Sequence, residues 1–483
     1  MAELAGYLPG LSADEVDWQV LNFDRGNAHV EIAVPLLSET QLGELAVRVK
    51  QASRAHLKSL TVSQITAIID KAIARLLDRD DPYRQKAERL LPLITGYDAE
   101  MVRLGLTHYL KTFRRAELNK FLAEDFANPS ILDDFQPVPK GGFAKAMGPD
   151  LLVHIWAGNV PGLPLWSLIS GLLVKAGTIG KVPSAEPLFA GWFAELLVEI
   201  EPTLADCLAV VWWKGGDEAR ESALLKQADV VLAYGGNDSL AAIRARTPIT
   251  TRCLTYGHKV SFGMVSRAAL DTSKAWSVAH QAAYDVIRYD QQGCYSPHVF
   301  FVERGGKVSP REFSKYVANE LACFEQKFPR RALSIEEASG VAAWRHAEET
   351  KSSSQSGRDI MGDAAGAWSV VHVEESEDLT PSGLNRTIKI VAIDDLADTV
   401  PRIAPFKAFL QTVGIAAAPE ELFRLAQSLG EVGVTRICAL GHMTAPEAGW
   451  HHDGRFNLLD LVTLTEIERS AENAADDFAP YVD

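Results

Sequence analysis

From residue 150 onward the sequence predicts an α/β protein built on doubly wound parallel sheets. Two observations carry this. Short apolar runs that read as buried strands alternate with helical stretches of about a dozen residues, the pattern of successive βαβ units. The strand-like runs end in polar residues or glycine, and ligands on such sheets bind beyond the carboxyl ends of the strands. Those ends carry Asn159, Lys181, Lys214 to Gly216, and Gly235 with Gly236.

In chain order, residues 1–60 mix strand-like runs such as HVEIAVPLL with a charged helix. SQITAIIDKAIARLLD (63–78) repeats Ile65, Ile68, Ile69, Ala72, Ile73, Leu76 and Leu77 at three- and four-residue steps, which predicts an amphipathic helix with Ser63 as N-cap. More helix follows to about residue 125. FQPVPKGGFAKAMGPD is rich in proline and glycine and marks a boundary or a hairpin. LLVHIWA, TIGKVP, CLAVVWW and ADVVLAYGG then read as strands, separated by helices in SLISGLLVKAG, AGWFAELLVEIEP and DEARESALLKQA, with DSLAAIRAR helical after the last. The stretch NVPGLPLWSLISGLLVKAG is apolar but broken by Pro161 and Pro164 and closed by Lys175, too short to cross a bilayer. TRCLTYGHKVSFGMV, a helix around SKAWSVAHQAAYDVIRY and the strand HVFFVE follow. Residues 345–370 are Ser/Gly-rich and are expected to be a surface loop, with a lid as one use. NRTIKIVAI, LFRLAQSLG and VTRICALG continue the strand–helix pattern, and the acidic tail from Ile467 reads as a solvated end.

The chain has 483 residues, enough for two or three domains. A formal net charge of -15 argues against nucleic-acid binding. The five cysteines, Cys207, Cys253, Cys294, Cys323 and Cys438, are odd in number and widely spaced, with no C-x-x-C. This argues against a disulfide framework or a structural zinc site and for a reducing cytoplasm. The N-terminus lacks the basic and apolar regions of a secretory signal. No metal-ligand set is apparent.

One cysteine stands apart. In YDQQGCYSPHVFFVE, Cys294 lies in a polar, glycine-containing turn before a buried strand, where reactive groups tend to lie. Cys207, Cys253, Cys323 and Cys438 lie in apolar settings and read as core thiols. No G-x-G-x-x-G is present. Gly215–Gly216 and Gly235–Gly236 would let a backbone approach a pyrophosphate, though tight turns explain such pairs as readily.

Taken in order, AGNVPGLPLWS, TIGKVPS, ADVVLAYGGND, TYGHKVS, DQQGCYSP and RICALGHM…GWHHDGR resemble the long-chain acyl-CoA reductases of bacterial bioluminescence operons, a branch of the aldehyde dehydrogenase superfamily. The likeness spans about residues 135 to 465. It implies an aldehyde dehydrogenase-like fold of two doubly wound domains with a protruding oligomerisation hairpin at 136–150. The cofactor-binding domain would take residues 1–250 with a C-terminal return near 440–470, and the catalytic domain 251–440. The resemblance makes Cys294 the catalytic nucleophile and Asn159 an oxyanion donor. Lys181 would contact the adenosine ribose, Gly235 and Gly236 would face the pyrophosphate, and Gly257 and Lys259 match the end of a Glu-x-Gly-Gly-Lys segment. The family's activity is reduction of a fatty acyl thioester to the aldehyde through an acyl-cysteine, with an acyl-protein synthetase as associated partner.

Two departures matter. Thr255 stands where aldehyde dehydrogenases carry the glutamate that activates hydrolytic water, and a threonine hydroxyl cannot act as that base near neutral pH. Ser184 stands where NAD-preferring relatives often have a ribose-binding glutamate. A neutral serine does not repel a 2′-phosphate, and Lys214 is available to pair with one. NADPH is therefore the expected cofactor and NADH the alternative, with nearby Glu186 tempering the preference. The acid–base candidates are His258, His298, His451 and His452. HHDG favours His452, with Asp453 as orienting carboxylate, against the reading that these histidines merely satisfy loops. Asp290 reads as a turn residue rather than a base. Trp156, Leu163, Leu165 and Trp166 line either an acyl tunnel or simply core. The rival functions are an NAD(P)-dependent aldehyde dehydrogenase, an acyl-carrying subunit of a fatty acid reductase complex and, more distantly, a cysteine hydrolase.

Overall fold

The computed structural model describes residues 2–354 and 356–480. Gln355, within the 345–370 segment, and the last three residues of the acidic tail lie outside the described residues. The strands in chain order are β1 (Glu3–Leu4), β2 (Asp17–Arg25), β3 (Ala28–Leu36), β4 (Gln136–Pro137), β5 (Phe143–Met147), β6 (Leu151–Ile155), β7 (Gly177–Lys181), β8 (Leu208–Val211) and β9 (Val230–Tyr234). They continue with β10 (Arg252–Tyr256), β11 (Val260–Val265), β12 (Pro297–Glu303), β13 (Arg358–Gly362), β14 (Ser369–Val373), β15 (Thr387–Ile393), β16 (Leu410–Ala416), β17 (Arg436–Ala439) and β18 (Thr463–Ile467).

The chain forms two compact units. The first comprises the residues up to Thr95, Leu106–Gly257 and those from Glu447 on; the second comprises Gly96–Gly105 and His258–Pro446.

In the first unit, five parallel strands lie in the order β10-β9-β6-β7-β8. The chain starts at β6, runs outward through β7 and β8, then returns to the other side of β6 for β9 and β10. The order therefore reverses between β6 and β9, and a crevice opens beyond their carboxyl ends at such a point. β6, β7 and β8 are buried along almost their whole length because both faces are covered. On one face the helix Glu39–Ala55 packs Leu42, Leu45, Ala46 and Val49 against Leu151, Val153, Ile179 and Val211. The helix Val62–Leu77 begins two residues earlier than the sequence suggested. Thr61, not Ser63, is the N-cap, because its hydroxyl accepts the Gln64 N–H while the Gln64 side chain returns to the Thr61 N–H. The Pro/Gly stretch forms an antiparallel hairpin of β4 and β5, turning at Gly141 (φ 87°) and Gly142 (φ 77°). β18 pairs with the free edge of β5, and all five of its residues are exposed.

The second unit holds a seven-stranded sheet, β13-β14-β15-β12-β11-β16-β17, parallel except where β13 meets β14. Here the sequence misled over 345–370. The helix Ile335–Ser354 and strand β13 occupy most of it, not a loop. The hydrophilic composition hides a buried charge network: Arg358 on β13 pairs with Glu348 on the helix and Glu377, and the buried Lys389 on β15 lies 2.9 Å from Glu377 and 3.3 Å from Glu348. Buried charges are tolerated when matched in this way. No helix among the described residues is long and apolar enough to cross a membrane.

Candidate active site

The first unit presents a set of polar groups and glycines at the carboxyl ends of its strands. Between β6 and the helix Pro164–Leu173, the chain makes a loop in which Asn159 is exposed. The loop is anchored from below. The Trp156 N–H donates to the Lys181 carbonyl (3.1 Å), the Trp156 indole to Ser167 (2.7 Å), and Gly162 turns with φ 76°. Glu186 completes the anchoring. It is buried, its carboxylate accepts the N–H groups of Leu188 and Phe189, both at 2.9 Å, and burial pushes its pKa up to about 7. Glu186 therefore faces inward onto backbone, and the acidic residue that tempered the NADPH preference is committed elsewhere. Ser184 remains exposed and accepts the Trp212 indole N–H at 3.1 Å. Lys214 is exposed beyond β8. Lys181 ends β7, and burial lowers its pKa against an opposing pull from Glu221.

Gly235 and Gly236 join β9 to the helix Asn237–Arg246, with Gly236 as N-cap. Neither has a positive φ, so the backbone does not demand glycine there. A Cβ on Gly236 would meet nothing within 4 Å, and one on Gly235 would come no closer than 3.8 Å to Ser239. The glycines keep open the space before a helix N-terminus, where backbone N–H groups and the helix dipole favour an anion. The donor set, with Lys181 and Lys214 at neighbouring strand ends, fits a nicotinamide nucleotide. Gly257 packs against the same helix, where a Cβ would lie 2.9 Å from the Asn237 side-chain oxygen. Thr255, on β10, pairs with Ala233.

His452 belongs to an aromatic stack on these strand ends. Its ring lies 4.4 Å from Tyr256 at 9°, Tyr256 lies 5.0 Å from Tyr234, and Trp450 tilts against His452 at 4.8 Å. The two histidines of HHDG diverge: His452 Nε2 is 3.9 Å from Asp453, and His451 Nε2 is 3.9 Å from the buried Asp125. Neither separation is a hydrogen bond. Trp156 and Leu165 are buried in the core, and Trp166 packs on Phe113 and Phe121, so the tunnel reading gives way to core for these side chains.

In the second unit the helix Ala275–Ile287 ends in an unusual way. Tyr289, Asp290 and Gln291 take left-handed conformations, with φ of 46°, 49° and 61°. Leu384, Asn385 and Arg386 do the same, with φ of 55°, 50° and 68°. Each such non-glycine residue costs about 1–3 kcal/mol and persists only when its surroundings over-determine it. Asp290 is buried and accepts from Arg386 Nε at 2.7 Å. Gln291 is buried too; it donates to the carbonyls of Pro297 (2.8 Å) and Thr387 (3.0 Å) and accepts the Thr387 N–H at 2.9 Å. The chain then turns through Gly293, whose carbonyl accepts the Ser296 N–H at 2.9 Å, and the half-buried Cys294 falls inside that turn. The Cys294 carbonyl accepts the Ser261 hydroxyl at 2.9 Å, and that hydroxyl accepts the Thr412 N–H at 3.1 Å.

His298 is the second residue of β12 and is buried. Its Nδ1 accepts the Ser382 N–H at 3.1 Å, and burial pulls its pKa down to about 4. It is neutral near pH 7. His258 is exposed. Among the other thiols, Cys207 is buried with its pKa pushed up to about 11, while Cys253 and Cys438 are half-buried. Cys323 is a correction: it lies exposed on the helix Pro310–Lys327 rather than in the core. Among the described residues no cluster of His, Cys, Asp or Glu could hold a metal ion. Nothing local marks the Asp290–Arg386 pair, whose members are far apart in the chain; the nearest signal is the polar run before Cys294.

Known proteins bear this architecture. Aldehyde dehydrogenase 21 from Physcomitrella patens superposes with a TM-score of 0.73 at 13% identity, covering 97% of this chain and 98% of that one. An indole-3-acetaldehyde dehydrogenase complexed with NAD+ gives 0.74 at 12% identity, covering 97% and 96%. The fold is that of the aldehyde dehydrogenases. In sequence, the long-chain acyl-protein thioester reductase of Photorhabdus laumondii is 23% identical over 474 residues, 95% of each chain. Long-chain acyl-protein thioester reductase 2 of Photobacterium leiognathi is 25% identical over 420 residues, 84% of this chain and 82% of that one. The sequence model of one family, Acyl-CoA reductase (LuxC), matches residues 57–464, a span that takes in the Asn159 loop, the Gly235–Gly236 opening and the Cys294 turn. The chain belongs to the acyl-CoA reductase (LuxC) family.

Proposed function

We propose that this protein reduces a long-chain fatty acyl thioester to the aldehyde, with NADPH as reductant and Cys294 as the acyl carrier. The observation that carries the reading is the Cys294 turn, a half-buried thiol in a backbone fixed on both sides, within a chain of this family. The Cys294 thiolate attacks the acyl carbonyl; Asn159 and the Cys294 N–H are the proposed donors to the oxyanion, each worth about 2.7–4 kcal/mol in such sites. The donor thiol leaves and a thioester to Cys294 remains. A nicotinamide nucleotide, when bound, supplies the hydride. The aldehyde departs as the carbon–sulfur bond breaks and the thiolate is restored. Lys181, Gly235, Gly236 and Gly257 are the proposed cofactor contacts, with Ser184 and Lys214 accommodating a 2′-phosphate. His452 is the proposed proton carrier among the histidines.

Thr255 supports reduction over aldehyde oxidation, because a thioester without a general base for water survives long enough to be reduced. The acyl donor is a fatty acyl-CoA, as the description of the family reads, or an acyl group carried by a protein, as the names of the relatives state for them; an acyl-protein synthetase is then the partner. The sheet of β4, β5 and β18, with its exposed outer strand, is the proposed contact in a homo-oligomer.

The test is consumption of NADPH with acyl-CoA esters of graded length, the aldehyde being trapped. Turnover that disappears in Cys294→Ala is expected, and unchanged turnover in that variant would sink the reading. If no acyl-CoA is reduced, incubation with an acylated partner protein tests the other donor. Free acid released without cofactor would indicate a hydrolase.

A further inference from the structure

We propose that Arg386 is a positioning residue for Cys294: buried against Asp290, it holds the chain before the cysteine in a left-handed turn that the residues would not otherwise keep. The inference rests on the reading of Cys294 as the nucleophile.

Two left-handed triplets, 289–291 and 384–386, face each other. Their contacts are reciprocal. The Asn385 N–H donates to the Asp290 carbonyl at 3.0 Å, and the Gln292 amide donates to the Asn385 side-chain oxygen at 3.0 Å. Arg386 Nε donates to Asp290 Oδ1 at 2.7 Å, and the Arg331 N–H donates to Oδ2 at 3.2 Å. Arg386 also reaches Glu325 through Nη1 at 2.6 Å. Asp290 is 1% exposed and Arg386 2%. Six non-glycine residues at positive φ need cross-linking to persist. The Arg386–Asp290 ion pair is a fully buried charged link between the two triplets, and Arg331 braces it, with its N–H on Asp290 and its guanidinium 3.3 Å from the Asn385 side-chain oxygen.

The consequence reaches Cys294 through covalent geometry. The turn 293–296 follows the first triplet with only Gln292 between, and the Cys294 carbonyl is fixed at its far side by Ser261. With Arg386 gone, Asp290 is a buried carboxylate whose remaining cation, Arg331 Nε, lies 3.8 Å away. The nearest relief is for residues 289–291 to relax toward right-handed φ, which swings the thiol away from its line of attack. Substrate contacts elsewhere are untouched.

The experiment uses the full chain carrying Arg386→Met, Arg386→Lys, Asp290→Asn or Asn385→Gly. Asparagine and glycine tolerate left-handed backbone, so the last two keep the fold if Arg386→Met does not. Each is read by its melting temperature, by the rate of iodoacetamide alkylation at Cys294 across pH with Cys294→Ala as blank, and by kcat and KM. We expect Arg386→Met to lower kcat about a hundredfold, the scale of a small misplacement of a reacting group, with KM nearly unchanged. Alkylation should change in its plateau rate and Arg386→Lys should fall between. Folded Arg386→Met or Asp290→Asn that alkylates and turns over as the parent does would overturn the proposal, as would a loss in melting temperature alone. Should the parent reduce no acyl thioester while the variants still alter alkylation, the function is wrong and the positioning stands.

Discussion

A single residue can decide which nucleotide is used. Ser184 is exposed and uncharged, and Glu186 is turned inward to the N–H groups of Leu188 and Phe189. Placing a carboxylate at 184 should therefore set a negative charge beside a 2′-phosphate. Ser184→Glu is expected to raise the KM for NADPH about tenfold relative to that for NADH, since 1.4 kcal/mol of repulsion suffices. Steady-state kinetics with both nucleotides checks this, and an unchanged ratio would remove Ser184 from the ribose site. The residue scale is also where the sequence was most uneven. Cys294 stood out because a thiol in a polar turn is out of character. Glu186 and Asp290 did not, because an acid read one-dimensionally looks solvent-bound, and only folding reveals the backbone N–H groups or the arginine that take it inside.

At the level of elements, periodicity and punctuation carried far. Strands β6 to β9 and their helices follow from alternating apolar runs, since a strand covered on both faces must be apolar throughout. The failure over 345–370 has a physical cause: Arg358 and Lys389 are buried by pairing with Glu348 and Glu377, so the elements there carry the composition of a loop. Packing between elements makes a sharper prediction. Gly180 on β7 lies under the Trp156 ring, and a Cβ there would come within 1.8 Å of it. Gly180→Ala should cost about 1–3 kcal/mol of stability, the range for overpacking a core. Denaturant midpoints would measure it. Because Trp156 also anchors the Asn159 loop, the same variant should lose activity before it loses its fold.

For the whole molecule, acid should be destabilising in both units. His154 in β6 and His298 in β12 are buried and neutral, with pKa values pulled down by desolvation to about 3 and about 4. In the unfolded chain each takes a proton near pH 6.5. Below that pH the unfolded state binds more protons than the folded one, so stability is full above about 6.5 and falls as the pH drops, by about 1.4 kcal/mol per unit for each histidine once well below it. The fall ends for each as its folded pKa is reached. His154→Leu should flatten this slope in urea titrations run from pH 7 to pH 4; an unaltered slope would show that other groups govern it.

The discontinuous make-up of the first unit has a consequence for how the protein is made. Its hairpin strand β5 is translated before the second unit, but the partner that covers its edge, β18, only after it, and so is the Leu458–Leu459 stretch whose N–H groups are held by the buried Asp125. Throughout synthesis of the second unit, β5 waits with an unpaired edge, the state most open to wrong pairing. The nascent chain is therefore expected to depend on chaperones, and its first-begun unit to be its last completed.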